Sequence, residues 1–147
     1  DPMCGAGTVL IERARLGEAL LIGSDRFAAP LAAARRNLTA AAVTGSLLQA
    51  DARQLPLRTG VVDALVSNLP WGRRIGSHRA NRHLYPRFLR ETARALRPGG
   101  RAVLLTPERR LMTRLLDRDH RLQPVARYHL SLSGLSPAIY VLERASD

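Results

Sequence analysis

Apolar and polar residues follow one another in blocks that predict strands separated by helices. Continuous apolar runs that end in an acid or an amide, such as 19–25 and 61–68, are typical of buried parallel strands. Alanine- and leucine-rich stretches between them keep polar residues on one side, as amphipathic helices do. The predicted strands are 19–25, 46–51, 61–67, 101–106, 125–132 and 138–143. The predicted helices are 8–16, 27–43, 84–96 and 108–117.

This order of elements predicts an α/β fold with an open, Rossmann-like sheet that is parallel through its centre. No helix separates the last two strands, so we expect them to form an antiparallel hairpin at one edge. The chain opens on a glycine-rich turn, which in such folds follows a strand. We therefore expect residues 1–147 to form one domain whose first, central strand lies upstream.

Polar residues stand where several predicted strands end. Asp25, Asp51 and Asn68 each close an apolar run, and Asp1 opens the glycine-rich turn. Open α/β sheets bind ligands beyond the carboxyl ends of their strands. The sequence therefore predicts a ligand site at that edge of the sheet.

The turn at residues 1–8 has features suited to a zwitterionic ligand. Gly5 and Gly7 let the backbone pass close beneath a ligand, where a Cβ would collide. The helix that begins near Thr8 offers free N–H groups to a carboxylate, and Asp1 is suited to an ammonium group. The alternative is an ordinary tight turn.

Two strand-end acids have the chemistry to hold a nucleoside. Asp25 is suited to accept hydrogen bonds from both ribose hydroxyls. Asp51, beside Ala52, is suited to accept from an adenine amino group. Strand-end acids also cap the helices that follow them, and this alternative stays open for both.

The segment Asn68-Leu69-Pro70-Trp71 has the chemistry to orient an exocyclic amine. Such an amine is a poor nucleophile because its lone pair is delocalised into the ring. The Asn68 side-chain oxygen and the Leu69 carbonyl are suited to hold its two N–H groups, while Pro70 stiffens the backbone. Trp71 offers a flat face for an extruded base. The alternative is a strand that ends in a turn with a buried tryptophan.

Charge points to a nucleic-acid partner. Of 147 residues 23 are basic, all of them arginine, against 12 acidic residues, which gives a net charge of +11. Arginine makes forked contacts with phosphate, although a GC-rich genome would also favour arginine over lysine. The single cysteine excludes an internal disulfide framework, and we expect a cytoplasmic protein. No apolar run approaches the roughly 20 residues of a membrane helix.

Four arginines follow Trp71 in or next to a stretch, 72–81, that is predicted to be a loop, and we expect them to neutralise nucleic-acid phosphates around the target nucleotide. They are Arg73, Arg74, Arg79 and Arg82. A merely solvated loop would tolerate the same residues. His78 and His83 lack paired cysteines, so no metal is predicted. Cys4 is predicted to be a small packed residue rather than a nucleophile.

Two motifs resemble the catalytic domain of THUMP-associated RNA guanine-N2 methyltransferases. They are Asp1-Pro2-Met3-Cys4-Gly5-Ala6-Gly7-Thr8 and Asn68-Leu69-Pro70-Trp71-Gly72-Arg73-Arg74-Ile75-Gly76. The resemblance covers essentially the whole chain and implies a class I methyltransferase that uses S-adenosylmethionine and acts on structured RNA, most often tRNA. The implied cofactor contacts are Asp1, Gly5, Gly7, Asp25 and Asp51, and the implied target-amine contacts are Asn68 and Pro70.

The sequence departs from the broader family of amino-methyltransferases, whose motif is Asn-Pro-Pro-aromatic, by placing Leu69 at the first proline. Only the carbonyl of that residue is needed, so we expect activity to survive. The resemblance implies an RNA-binding region that these 147 residues do not contain. Two alternatives stay open: a DNA or protein-amide N-methyltransferase, and a non-catalytic RNA-binding module with a decayed cofactor site.

Overall fold

The described elements fall into two compact units, Asp1–Pro56 and Leu57–Asp147, referred to below as the N-terminal and the C-terminal unit. A computed structural model describes residues 1–72, 77–132 and 134–146. Strands alternate with helices through most of the chain, which confirms the predicted α/β class.

In the N-terminal unit, two short parallel strands pack with two helices. Its elements in chain order are α1 (Thr8–Ala14), β1 (Ile22–Asp25), α2 (Ala28–Ala40) and β2 (Ser46–Gln49). The strands pair in parallel from Ile22 opposite Ser46 to Asp25 opposite Gln49, so their carboxyl ends lie side by side. A small apolar core holds the unit together, because each buried side chain removes apolar surface from water. Its members are Cys4, Leu10, Leu21, Leu31 and Leu38.

The C-terminal unit contains a four-stranded sheet in the order β3-β4-β6-β5. Its elements are β3 (Val62–Asn68), α3 (His78–Ala95), β4 (Leu96–Thr106), α4 (Arg109–Leu116), β5 (Leu122–His129) and β6 (Ala138–Arg144). The β3–β4 pair is parallel, whereas β6 runs antiparallel to both β4 and β5. The predicted hairpin is therefore confirmed, with β5 at the edge. Pro124 lies in this edge strand, where a missing N–H is tolerated.

Helix α3 begins earlier than its sequence pattern predicted. The stretch 72–81 was expected to be a loop, yet the helix starts at His78, after Ser77 caps it by accepting the Ala80 N–H at 3.0 Å. Its buried side recurs at helical spacing, which aligns one face with the core. That face comprises Asn81, Tyr85, Phe88, Leu89, Thr92, Ala93 and Ala95.

Strand β4 also begins earlier than expected, at Leu96 rather than Arg101. Arg97-Pro98-Gly99-Gly100 lies between the predicted helix 84–96 and the predicted strand 101–106. It joins the strand with a register shift against β3, and Gly99 has a φ of +70°. Because Gly100 approaches the backbone closely (an added Cβ would lie 2.8 Å from the Arg97 carbonyl oxygen), a larger residue would disturb this start.

None of the helices in the described part of the chain is long and apolar enough to cross a bilayer. Among the same residues, no three His, Cys, Asp or Glu side chains are grouped as a metal site would require.

Candidate functional site

The predicted site residues fall into two groups, one in each unit. In the N-terminal unit, the glycine-rich turn runs beside the end of β1. The Ser24 N–H donates to the Asp1 carbonyl at 2.8 Å, and the Cys4 N–H donates to the Ser24 carbonyl at 2.8 Å. The Asp1 carboxylate accepts the Met3 N–H at 3.1 Å. The turn is thus attached to the strand tip that carries Asp25.

The two glycines of the turn serve different purposes. Both have positive φ, +51° at Gly5 and +85° at Gly7, which disfavours any residue with a Cβ. An added Cβ at Gly7 would lie 2.7 Å from Leu38 Cδ1 and 3.3 Å from Ala34 Cβ, so Gly7 permits close packing on α2. At Gly5 the same test finds no atom within 4 Å. Only Gly5 therefore has the open space above the backbone that a ligand needs.

Asp25 is bonded to the turn and to the start of α2. One carboxylate oxygen accepts the Gly5 N–H at 3.1 Å, and the other accepts the Phe27 N–H at 3.0 Å. The Ala50 N–H donates to the Asp25 carbonyl at 3.0 Å, which brings the residue before Asp51 to the same edge. The structure thus brings Asp1, Gly5, Asp25 and Asp51 together.

The Asp51 carboxylate forms an ion pair with the neighbouring Arg53. Its carboxylate accepts from the Arg53 backbone N–H at 2.9 Å and from the guanidinium at 2.6–3.1 Å. The Arg53 hydrogen bonds and positive charge lower the pKa of Asp51 to about 2. Ala52 between them is buried. A ligand amine at Asp51 would have to exchange with Arg53.

The sequence interpretation missed one residue of this unit. Asn37 of α2 donates from its side-chain nitrogen to the Ala6 carbonyl at 2.9 Å, which fixes the middle of the turn. Its sequence position suggested only the polar side of a helix. Cys4 is buried in the core as predicted, and burial, aided by Asp25, raises the pKa of its thiol.

In the C-terminal unit, the motif that begins at Asn68 leaves the end of β3 as a constrained turn. The Leu69 N–H donates to the Leu105 carbonyl at 3.0 Å, and the Leu69 side chain is buried. The indole N–H of Trp71 donates to the Asn68 side-chain oxygen at 2.8 Å. Asn68 is exposed and Trp71 is half-buried. A hydrogen bond therefore joins Asn68, which was predicted to orient the amine, to Trp71, which was predicted to stack on the base.

A buried network of side-chain hydrogen bonds from α3 and β4 holds the backbone of this turn. The Pro70 carbonyl accepts from the Asn81 side-chain nitrogen at 2.9 Å and from the Tyr85 hydroxyl at 3.0 Å. Tyr85 also bonds to the Thr106 hydroxyl at 2.7 Å. Burial raises the pKa of Tyr85, so its hydroxyl stays protonated at neutral pH.

The network continues from Asn81 to the start of α4. Asn81 donates to Glu108 Oε1 at 3.1 Å, and the same oxygen contacts His78 Nδ1 at 2.5 Å. The Glu108 N–H donates to the Thr106 hydroxyl at 3.0 Å. Sequence reasoning missed all of these residues. Asn81 lies in the stretch 72–81 that was predicted to be a loop, outside the predicted helix 84–96, so its place on the buried face of α3 gave no signal in the sequence.

The predicted RNA-binding arginines have different outcomes. Arg73 and Arg74 lie outside the described residues. Arg79 and Arg82 belong to the first two turns of α3 rather than to a loop, because Ser77 starts the helix before them, and both are exposed. Arg82 lines a cleft of about 1130 Å³ together with Trp71.

Four further arginines line this cleft, and none was predicted. They are Arg109, Arg110, Arg114 and Arg127. Together with Arg82 they are called the arginine cleft below. Because Trp71 also lines the cleft, the motif at Asn68 lies next to a strongly basic surface.

Comparison with known proteins supports a methyltransferase fold. A family model described as UPF0020, RMKL-like, methyltransferase domain matches residues 1–137. The tRNA (guanine(6)-N(2))-methyltransferase THUMP3 of Mus musculus is 35% identical over 163 residues, a match that covers 100% of the chain and 32% of the mouse protein. The U6 snRNA (guanine-N(2))-methyltransferase THUMPD2 of Bos taurus is 37% identical over 111 residues, covering 74% of the chain and 21% of that protein.

Among solved structures, TrmN from Thermus thermophilus matches with a TM-score of 0.85 and 33% identity, covering 98% of the chain and 42% of TrmN. The chain spans about a third (32%) of the length of the first curated relatives it matches. The family match over residues 1–137 identifies the chain as a member of the UPF0020 family of RMKL-like methyltransferase domains.

Proposed function

We propose that this domain transfers a methyl group from S-adenosylmethionine to the exocyclic N2 amine of a guanine in structured RNA, with tRNA as the expected substrate. The observation that carries the proposal is the Asn68–Trp71 pair on a turn held by buried hydrogen bonds. Membership in a methyltransferase family and the RNA guanine-N2 activity named for its relatives support the same reaction.

The acceptors at the end of β3 are suited to an amine with two N–H groups. A neutral amide oxygen has two lone pairs, so the Asn68 oxygen can accept from the substrate while it accepts from Trp71. The Pro70 carbonyl already accepts two bonds. Within the described residues no hydrogen bond reaches the Leu69 carbonyl. Asn68 and Leu69 are therefore the two acceptors that we assign to the target amine.

The N-terminal unit has groups that fit the cofactor. Gly5 has open space above its backbone, where the methionine part would lie with its ammonium group towards Asp1. Each Asp25 oxygen accepts one bond from the backbone and retains capacity for a ribose hydroxyl. Asp51 and Ala52 are assigned to the adenine, with Arg53 giving up part of its contact. Gly7 supports the turn from below and is not assigned a ligand contact.

The chain's own residues act mainly by orientation. When bound, S-adenosylmethionine supplies an electrophilic methyl group. Asn68 and Leu69 would hold the amine so that its lone pair is free to attack the methyl carbon, and Trp71 would stack on the base. The transfer would form the N–C bond and break the carbon–sulfur bond of the cofactor, and the surplus amine proton would leave to water.

The test uses the protein in its full natural length with labelled S-adenosylmethionine. Unmodified tRNA, U6 snRNA, duplex DNA and a mixed protein fraction are offered separately, and labelled nucleosides or amino acids are identified after digestion. We expect N2-methylguanosine from RNA. Asn68→Ala should lower kcat by about 10²- to 10³-fold, as loss of a single orienting group at a reacting centre does.

Gln123→Ala, which removes an exposed amide from edge strand β5, is the matched control and should retain full activity. Label confined to DNA or protein would show that the acceptor is wrong. A full-length protein that binds RNA but not the cofactor would identify a non-catalytic module. Label in U6 snRNA but not in tRNA would keep the reaction and change the RNA.

A further inference from the structure

The arginine cleft concentrates positive charge in a concave part of the C-terminal unit. Five guanidinium groups line it, and Glu108 is the only carboxylate in the lining described. Glu108 is already engaged by His78 and Asn81. The cleft therefore has a large excess of positive charge that its own acid does not neutralise.

Three elements contribute the arginines. Helix α4 supplies Arg109, Arg110 and Arg114, while its Met112 and Leu116 are buried and fix which side faces out. Arg110 and Arg114 are four residues apart, a spacing at which like charges repel on a helix. Repulsion of this kind is relieved when an anion lies between the side chains.

Arg82 and Arg127 complete the cleft from α3 and β5. Arg127 is held in place, because its guanidinium carbon lies 5.7 Å from the centre of the Tyr140 ring and its N–H groups contact His129 Nε2 at 3.1–3.2 Å. In this arrangement His129 accepts through Nε2. Desolvation and the charges of Arg109 and Arg127 lower the pKa of His129, which favours the neutral, accepting form.

The arginines of the cleft differ from many others on the surface. Arg97, Arg101 and Arg121 each contact a carboxylate at 2.5–3.0 Å. Among the described residues, no carboxylate lies within ion-pair distance of the five cleft arginines. Their positive charges are thus available to an external anion.

We infer that the arginine cleft binds backbone phosphates of the RNA next to the nucleotide that stacks on Trp71. The inference rests on the proposed function and adds to it the surface and the atoms recognised. Trp71 lines the same cleft, so a chain whose base lies on the indole would carry its neighbouring phosphates towards α4. Guanidinium groups from three elements suit successive phosphates better than the edge of a single base.

Binding of RNA to Arg110→Ala/Arg114→Ala, measured over a range of salt concentrations, tests this assignment. Both residues are exposed, and the only side-chain contact described for them runs from Arg114 to the Arg110 carbonyl. The logarithmic slope of affinity against salt should fall by about 1.4–1.8, since each lost phosphate contact removes about 0.7–0.9. Affinity should fall roughly 10- to 50-fold at 0.1 M salt.

Arg87→Ala/Arg90→Ala is the matched control, because it removes two exposed arginines from α3 outside the cleft lining. It should leave the slope close to that of the unmodified protein. Arg110→Lys/Arg114→Lys retains the charges and should keep most of the slope, which separates lost charge from a disturbed helix. Cofactor affinity should be the same in all variants, and KM for RNA should rise far more than kcat falls in the alanine pair.

Equal slopes for the cleft and control pairs would overturn the cleft assignment while leaving guanine-N2 transfer intact. A reduced slope in a protein that methylates no RNA would instead contradict the proposed function and keep the cleft as an RNA-binding surface. Competition by polyglutamate as strong as competition by RNA of equal charge would show an acidic protein partner and overturn the RNA assignment.

Discussion

The two units build their candidate sites in different ways. In the N-terminal unit, polar groups are held by backbone turns: Asp25 accepts two backbone N–H groups, and the glycine turn bonds to Ser24. In the C-terminal unit, the motif at Asn68 is backed by buried side chains, of which Tyr85, Asn81 and Thr106 have essentially no exposed surface. One site depends on backbone conformation, and the other depends on a side-chain network.

This difference determines which substitutions each unit should tolerate. A backbone-built site is most sensitive to substitution where φ is positive and there is no room for a Cβ. A network-built site is sensitive wherever removal of one donor leaves a buried partner unsatisfied. Three substitutions, taken in order of expected effect, examine the contrast.

Gly7→Ala should destabilise the protein most, by about 2–5 kcal/mol, because a left-handed backbone costs about 1–2 kcal/mol and overpacking costs about 1–3 kcal/mol. Its Cβ would lie 2.7 Å from Leu38 Cδ1, inside the core. Gly5→Ala is the paired variant, with a φ of +51° but no atom near its Cβ, and should cost only about 1–2 kcal/mol.

Urea unfolding measures both losses, and isothermal titration with S-adenosylmethionine measures binding. Gly5→Ala should weaken cofactor binding even though it destabilises the protein only slightly, since its Cβ would occupy the open space above the turn. Equal unfolding losses for the two glycines would contradict the separate roles assigned to them.

Tyr85→Phe should lower the free energy of unfolding by about 1–3 kcal/mol, because it removes two buried hydrogen bonds that contribute about 0.5–1.5 kcal/mol each. The hydroxyl bonds to both the Pro70 carbonyl and the Thr106 hydroxyl, each of which keeps one other partner, and the substitution otherwise keeps the ring. Because Pro70 would lose one of its two donors, kcat should fall while the affinity for S-adenosylmethionine stays constant. Thermal unfolding and single-turnover methyl transfer give the two values.

Tyr128→Phe provides the control, because Tyr128 is 57% exposed on edge strand β5 and should tolerate the change within about 0.5 kcal/mol. If both phenylalanine variants behaved alike, the network would contribute nothing to the turn, and the contrast between the units would disappear.

The sequence predicted the backbone-built site more completely than the network. Asp25 and Asp51 follow apolar runs, and Gly5 lies in a short motif, so the relevant signals are local. The Pro70 carbonyl is contacted by Asn81 and Tyr85, which are 11 and 15 residues away along the chain. The partners of these two residues are more distant: Thr106 is 21 residues from Tyr85, and Glu108 is 27 residues from Asn81. Spacing along the chain carries no signal for such pairs.

The arginine cleft was missed for a related reason. Helix α4 was predicted nearly at its observed limits, but periodicity alone does not show what lies opposite its polar side. The start of α3 was missed as well, because the glycines and arginines of 72–81 led to the prediction of a loop there. Ser77 is a helix-capping residue, and this signal was not used. Fold class and chemistry were therefore predictable, whereas the supporting residues required the tertiary structure.

The smallest expected effect concerns Asp51 and Arg53, an ion pair that lies at the N-terminal site but on its surface. The two side chains are 34% and 35% exposed, so solvent screens their attraction and the pair should contribute little to stability. Arg53 holds the pKa of Asp51 at about 2, below its ordinary 3.8, so the folded state favours the ionised acid. The contribution is then complete above about pH 4 and is lost as the pH falls towards 2.

Asp51→Asn keeps an oxygen for the Arg53 backbone N–H and removes only the charge, which makes it the appropriate variant. Its unfolding free energy should lie slightly below that of the unmodified protein at pH 7, and the difference should shrink between pH 4 and pH 2. Arg53→Gln should show the same pH dependence, since either change removes the pair. A difference that stays constant with pH would mean that Asp51 acts through the geometry of its turn, as Asp25 does. Asp25 and Asp51 would then both fix the backbone of the site whether or not a ligand is bound.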